Sequence, residues 1–137
     1  MQHREIEVRT GSQPTLVDLT PACMDFLAEV ADDGDGLLTV FVPHATAGVV
    51  VVELGAGSDT DLMAALARLL PRDERWSHRH GSPGHGADHV LPLLASPSLT
   101  IPVIQGRMTL GTWQSVALLD PNADNPSRRV QLAFLAG

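Results

Sequence analysis

Residues 48–54 read Gly-Val-Val-Val-Val-Glu-Leu, four consecutive β-branched side chains that a strand points alternately to its two faces. A strand apolar on both faces must be covered on both sides, so this segment is expected to be a central strand under a second layer. That requirement limits the chain to layered folds. It is then a question of which neighbours supply the cover.

Arg4 to Thr10 alternates apolar and polar residues around Ile6 and Val8, the pattern of a strand with one wet face, and Pro14 to Leu19 reads as its partner. Thr20-Pro21 has the form of a helix start, with Thr20 as N-cap and Pro21 at the first position, where its missing N–H costs nothing. Met24, Leu27, Ala28 and Ala31 then recur at helical spacing, up to the turn Asp32-Asp33-Gly34-Asp35-Gly36. Leu37 to Pro43 and Gly48 to Leu54 read as two strands interrupted by His44-Ala45-Thr46-Ala47. Ser58 and Asp61 resemble a capping box, with Asp in the Glu place, opening a helix through Leu62, Leu66, Leu69 and Leu70.

Pro71 to Ala87 is a polar, Gly- and His-rich loop, longer than the usual connection, with a short helix expected from near Asp88. Further strands are expected at Ser98–Ile104, Met108–Leu119 and Arg128–Leu135, with the residues from Pro121 to Pro126 turning the last pair. No repeat, linker or low-complexity tract divides the chain, so residues 1–137 read as one α+β domain of mostly antiparallel strands with two or three helices.

The net charge is −7 and all nine basic residues are arginine. Nucleic-acid binding is therefore not expected, because affinity there rests on phosphate neutralisation. An anionic ligand has to be met locally, by arginine or backbone amides. No segment approaches the roughly 18 apolar residues of a membrane span, and the charged N-terminus is unlike a signal peptide, so a cytoplasmic location without membrane contact is the expectation. The lone Cys23 cannot form an internal disulfide, which fits a reducing compartment.

Five of the six histidines lie between positions 44 and 89, and four of them, His78, His80, His85 and His89, fall within twelve residues. Histidine titrates near neutrality and is the commonest metal ligand. The plain alternative is a solvated loop with histidine as polar filler, since no cysteine pair accompanies them and Gly84 and Gly86 oppose a helix that would align His85 with His89. Glu53 ends an apolar strand and must be paired, metal-bound or at the surface. Asp61 is either a functional acid or a helix N-terminal charge, and Thr46 a ligand hydroxyl or a turn residue. Trp113 reads more readily as core than as a ligand platform. Arg128-Arg129 reads as a solvated strand start or one of few anion-binding options.

Taken in order, these residues resemble the YjbQ-like, secondary thiamine-phosphate synthase family. The resemblance rests on His44-Ala45-Thr46-Ala47 followed by Glu53, on Asp61, on Trp76 two before His78, and on His89 followed by an apolar residue. It continues in Ile101-Pro102-Val103, Gly106-Arg107, Leu110-Gly111-Thr112-Trp113-Gln114 and Ser127-Arg128-Arg129. Three positions depart from it: Val52 and His85 stand where asparagine (or, for the latter, an acid) is common, and Ala45 where threonine is frequent.

The resemblance implies β-sandwich-like sheets, a homotrimer and a polar pocket. It also implies coupling of a hydroxymethylpyrimidine diphosphate to a thiazole phosphate with loss of pyrophosphate, in some members as a secondary activity. In that picture a divalent cation, zinc or magnesium-like, would sit on His44, His78 and His89. Glu53, Asp61 and His78 would do acid–base work, and Thr46, Arg107 and Gln114 would hold a phosphorylated small-molecule substrate. The rivals are a metal-assisted hydrolase of a phosphorylated metabolite and a non-catalytic trimer binding a metal or small ligand.

Overall fold

A computed structural model describes residues 1–137. The alternating N-terminal segment is strand β1 (Gln2–Arg9), followed by β2 (Thr15–Asp18), helix α1 (Thr20–Val30), β3 (Gly36–Phe41), β4 (Gly48–Val52) and helix α2 (Ser58–Leu69). Two 3₁₀ turns, His85–Ala87 and Leu91–Leu93, precede β5 (Ser98–Ile104), β6 (Arg107–Met108), β7 (Ser115–Asp120) and β8 (Ser127–Ala136). All strand pairs are antiparallel: a five-stranded sheet ordered β1-β8-β3-β5-β6 and a three-stranded sheet ordered β2-β7-β4. The fold is α+β, as the periodicities imply.

The inward faces of both sheets share one apolar core. Leu38, Val40, Val130 and Leu132 come from the larger sheet, Val49, Val116 and Leu118 from the smaller, and Cys23, Phe26 and Leu27 from α1. Each strand supplies alternate residues, the period-2 pattern of a half-buried strand. The outward face of β4 is covered less completely than four valines in a row suggest. Val50 and Val52 are only half-buried, and they line an apolar groove with Leu16, Leu66, Leu69 and Leu94 beneath α2. Helix α2 itself buries no residue fully.

The pairing differs from the sequence expectation at three places, each where the chain changes sheets. β1 and β2 are sequence neighbours but not partners, since β1 pairs with β8 and β2 with β7. The backbone N–H groups of Thr10 and Gly11 both donate to the Pro126 carbonyl, which carries the chain out of the larger sheet. Likewise β7 and β8 are no hairpin; residues 121–126 cross between the sheets. Met108–Leu119 is not one strand, because a turn at 111–114, closed by Gln114 N–H to the Gly111 carbonyl, separates β6 in one sheet from β7 in the other.

Both expected helix caps are also corrected. Thr20 lies inside α1, and its hydroxyl accepts the Val116 N–H at 2.9 Å, while the Asp18 carboxylate accepts the Thr20 N–H at 2.9 Å. Gly57, at φ +90°, takes the N-cap place of α2, and neither Ser58 nor Asp61 makes a side-chain cap. A left-handed turn there favours glycine over a capping serine.

Gly48 fixes where the loop after α2 returns to the smaller sheet. A Cβ at this buried position would stand 2.2 Å from the Ala95 carbonyl oxygen, and backbone cannot swing aside as a side chain does. Gly48→Ala should therefore lower the unfolding free energy by about 1–3 kcal/mol, the cost of overpacking. Ser12→Ala, on an exposed turn, should stay within about 0.5 kcal/mol. Urea unfolding followed by circular dichroism reads both, and an unshifted midpoint for Gly48→Ala would refute the close approach.

Candidate functional site

The long segment between α2 and β5 is built, residue by residue, around buried polar contacts. Asp88, 1% exposed, forms an ion pair with Arg72, whose Nη1 also donates to the Pro121 carbonyl at 3.3 Å and whose Nη2 donates to Ser82 Oγ at 3.0 Å. The Trp76 indole N–H donates to the Pro71 carbonyl at 2.8 Å. Gly86 lies tight under Trp76, where a Cβ would come within 2.4 Å of the Trp76 Cβ and 2.7 Å of the His78 carbonyl. The glycines that argue against a helix here thus permit a close chain crossing.

That folding brings four imidazoles together. The His78 ring centroid is 3.9 Å from that of His80, 4.1 Å from His89 and 5.5 Å from His85. The 3₁₀ turn at His85–Ala87 aims His85 and His89 at each other, with their Nε2 atoms 3.0 Å apart. One donor nitrogen from each of His78, His80 and His85 lies within 4.8 Å of the others. Two ring nitrogens of the cluster have no partner: His78 Nε2 and His85 Nδ1 are buried without a hydrogen bond, as is Asp88 Oδ2. His85 Nδ1 is 3.0 Å from Asp124 Oδ2 and 3.4 Å from Asp88 Oδ2, close enough for ion pairing but out of line for a hydrogen bond.

Desolvation, and then the neighbouring histidines His80, His89 and His85, hold the His78 imidazole below its ordinary pKa. Desolvation followed by His85 and His80 does the same for His89, against the opposing charge of Asp88. His78 and His89 are thereby biased toward neutral rings, the form that ligates a cation. A cleft of about 470 Å³ opens beside it, lined by His78, His85, Trp76, Ser82 and the guanidiniums of Arg72 and Arg79.

His44 and Thr46 stand elsewhere, in a second polar group under the sheet crossings. Arg128, 1% exposed, makes a two-pronged ion pair with fully buried Asp120, Nε to Oδ2 at 2.7 Å and Nη2 to Oδ1 at 3.0 Å. Thr46 Oγ1 accepts from Arg128 Nη2 at 3.0 Å and from Asn122 Nδ2 at 2.9 Å. His44 Nε2 accepts the Arg129 N–H at 3.0 Å, and its Nδ1 lies 3.5 Å from Arg128 Nη1. Burial, then the charges of Arg128 and Arg129, hold His44 below its ordinary pKa. Arg128 is thus not a solvated strand start: it is among the most deeply buried side chains in the molecule.

The remaining sequence candidates lie apart from the histidines. Glu53 and Asp61 are exposed and make no side-chain hydrogen bond or ion pair. Arg107 and Gln114 share a cleft of about 560 Å³ with Met24, Met108 and Leu110 that contains no histidine. Trp113, read as core, is 76% exposed. Cys23 is buried, and desolvation pushes its thiol up to about 12, so it offers no thiolate nucleophile.

The residues that sequence reasoning left out of its site are His80, His85, Asp88, Asp120, Asn122, Asp124 and Arg72. Histidine density was the signal for the first two. The acids carried none, being scattered through turns where aspartate is ordinary.

A family model described as UPF0047 protein YjbQ-like matches residues 4–137. The chain belongs to that family. A UPF0047 protein of Mycobacterium bovis is 59% identical over 122 residues, covering 89% of this chain and 92% of its own. One from Methanothermobacter thermautotrophicus is 32% identical over 135 residues, 98% of this chain and 91% of its own. A hypothetical protein from Aeropyrum pernix K1 superposes with a TM-score of 0.88 at 30% identity, over 100% of both chains. The YjbQ-like fold is therefore shared across the whole chain. No helix is long and apolar enough to cross a membrane.

Two measurements test this geometry. Asp120→Ala leaves the Arg128 charge buried and unpaired, and should cost roughly 3–5 kcal/mol of stability. An Asp120→Ala protein as stable as wild type in urea would refute the buried pair. The second is pH dependence. His44, His78 and His89 have depressed pKa values in the fold and ordinary ones, about 6.5, when unfolded. The unfolded chain therefore takes up more protons as pH falls, so stability is full above about 6.5 and declines below it, through the depressed values. The urea midpoint of chelator-treated protein should drop between about pH 7.5 and 5.5, and by less in His44→Gln; a flat profile would count against the depressed values.

Proposed function

We propose that this YjbQ-like chain is an enzyme dependent on a transition-metal ion held by His78, His80, His85 and His89, acting on a phosphorylated small molecule in the adjoining cleft. The convergence of four imidazoles, with a buried unpartnered nitrogen on His78, carries this reading. Two ligands of a tetrahedral zinc ion with bonds near 2.0–2.1 Å stand roughly 3.3 Å apart, close to the 3.0 Å between His85 and His89 Nε2. An all-imidazole donor set suits zinc, nickel or copper; magnesium prefers oxygen ligands. His44 falls outside the ligand set of this proposal, because its Nε2 lone pair already accepts the Arg129 N–H.

When bound, such an ion would supply Lewis-acid neutralisation of an anionic leaving group. The chain's own residues would do the rest. Arg79, whose one hydrogen bond is to the Glu74 carbonyl at 3.2 Å, is free to meet a phosphate from the cleft wall. The first reaction to assay is the one the family resemblance implies, joining hydroxymethylpyrimidine diphosphate to thiazole phosphate with release of pyrophosphate. The homotrimer belongs to the same proposal, and the all-apolar groove under α2 is a surface that a second copy would cover.

Protein purified without an affinity tag should carry a stoichiometric transition metal by elemental analysis. Because His80 shares the cluster, His78→Ala and His80→Ala should each weaken metal binding and lower turnover by about 10²-fold or more, with circular dichroism unchanged. His3→Ala should do neither. A metal-free protein that also binds no added zinc, or His78→Ala with full metal and activity, would end this reading.

A further inference from the structure

The strongest unexplained geometry is a carboxylate aimed at a histidine from a different part of the chain. Asp124 lies on the crossing between β7 and β8, 39 residues from His85, yet its Oδ2 is 3.0 Å from His85 Nδ1. The approach is built. Asp124 Oδ2 accepts the Ser82 N–H at 3.1 Å, and Asn122 Oδ1 accepts the Asp124 N–H at 2.7 Å. Asn122 is itself held by Asp120 Oδ1, which accepts its N–H at 3.0 Å, and by its amide donating to Thr46. Asp120 is clamped by Arg128. Gly81, at φ +86°, leaves the space: a Cβ there would stand 2.9 Å from Asp124 Oδ2 and 3.0 Å from the His85 ring.

On the reading that these histidines bind a cation, we infer that Asp124 is a positioning residue. Its carboxylate charge, 3.0 Å from His85 Nδ1, favours the tautomer that carries the proton on Nδ1 and leaves the Nε2 lone pair facing His89, and the buried Arg128–Asp120–Asn122 network holds Asp124 in place. A neutral imidazole has one N–H and one lone pair, so fixing one nitrogen decides the other. A negative charge this close to Nδ1 stabilises an N–H there over a lone pair, by electrostatics and not by an aligned hydrogen bond. Carboxylates behind ligating histidines act in this way, and their loss costs metal affinity without removing a ligand. The network also gives Thr46 and His44, which touch Arg128, a link to the histidine cluster without contact with its ligand atoms. Asp88 is the competing carboxylate, but it sits farther from Nδ1, at 3.4 Å, and its other oxygen is engaged by Arg72.

The test reads the tautomer directly, in metal-stripped protein, so that it does not depend on a metal being bound. In ¹⁵N-histidine-labelled apo protein, two-bond ¹H–¹⁵N correlation should show His85 with its proton on Nδ1. Asp124→Asn removes the charge and keeps the shape of the side chain, so the proton should shift toward Nε2. Asn122→Ala, which removes the support and not the carboxylate, should give a partial shift with circular dichroism unchanged. Asp25→Asn, exposed on α1, should do nothing. Zinc affinity of Asp124→Asn should fall on the order of 10–100-fold. A His85 proton already on Nε2 in wild type, an unmoved tautomer in Asp124→Asn, or a shift in Asp88→Asn alone would overturn the assignment. If the tautomer responds as expected while wild type binds no transition metal, the positioning role stands and the metal reading of the site falls.

Discussion

Arg128 is a full charge buried at the junction of two sheets, and the arrangement of the chain around it depends on its pairing with Asp120. A guanidinium out of water is tolerable only if its charge and its N–H groups are met. Asp120 meets the charge from the end of β7, and Thr46 accepts a further N–H from the β3–β4 crossing. The β1–β2 crossing joins the same region through Thr10 and Gly11 on the Pro126 carbonyl. Three places where the chain changes sheets are therefore tied at one end of the molecule. Such a junction cannot be sealed by apolar packing alone, because each crossing exposes backbone groups that a sheet ladder no longer satisfies.

The histidine cluster grows outward from that junction. Pro121 follows Asp120 directly, and its carbonyl receives Arg72, whose partner Asp88 lies between His85 and His89. A buried ion pair, Arg128–Asp120, and a part-buried one, Arg72–Asp88, thus brace the loop, and Asp124 lies against it. This accounts for how a seventeen-residue polar segment is held with little regular structure of its own. His78 and His89 sit close to the other rings in a partly desolvated environment, where their charging is unfavourable and neutral imidazole is preferred.

Helix α2 is the contrasting element. It is amphipathic in sequence, yet it rests over the outer face of the smaller sheet without fully burying any side chain. The groove beneath it is lined only by apolar residues. The side of the molecule that carries α2 is thus less complete as a single chain than the side that carries β1 and β8.

Local pattern in the sequence was enough to locate nearly every strand and both helices, because side-chain period and turn residues act over a few positions. It was enough, too, to mark the histidine-rich loop as a candidate site and to bring out the family from ordered motifs. It could not say which strands pair, since a period of two fixes which face is buried but not which neighbour supplies the hydrogen bonds. The expected partners β1–β2 and β7–β8 fail for that reason. Nor could it separate His44, whose lone pair faces a backbone amide, from His80, which stands among the other rings. Arg128 reads as a surface residue and is buried; Asp124 reads as a turn residue and faces a histidine. These roles are set by contacts between residues up to 85 positions apart, as between His44 and Arg129. Only closure of the two sheets decides such distances, because the free energy that places these side chains comes from burying a common core.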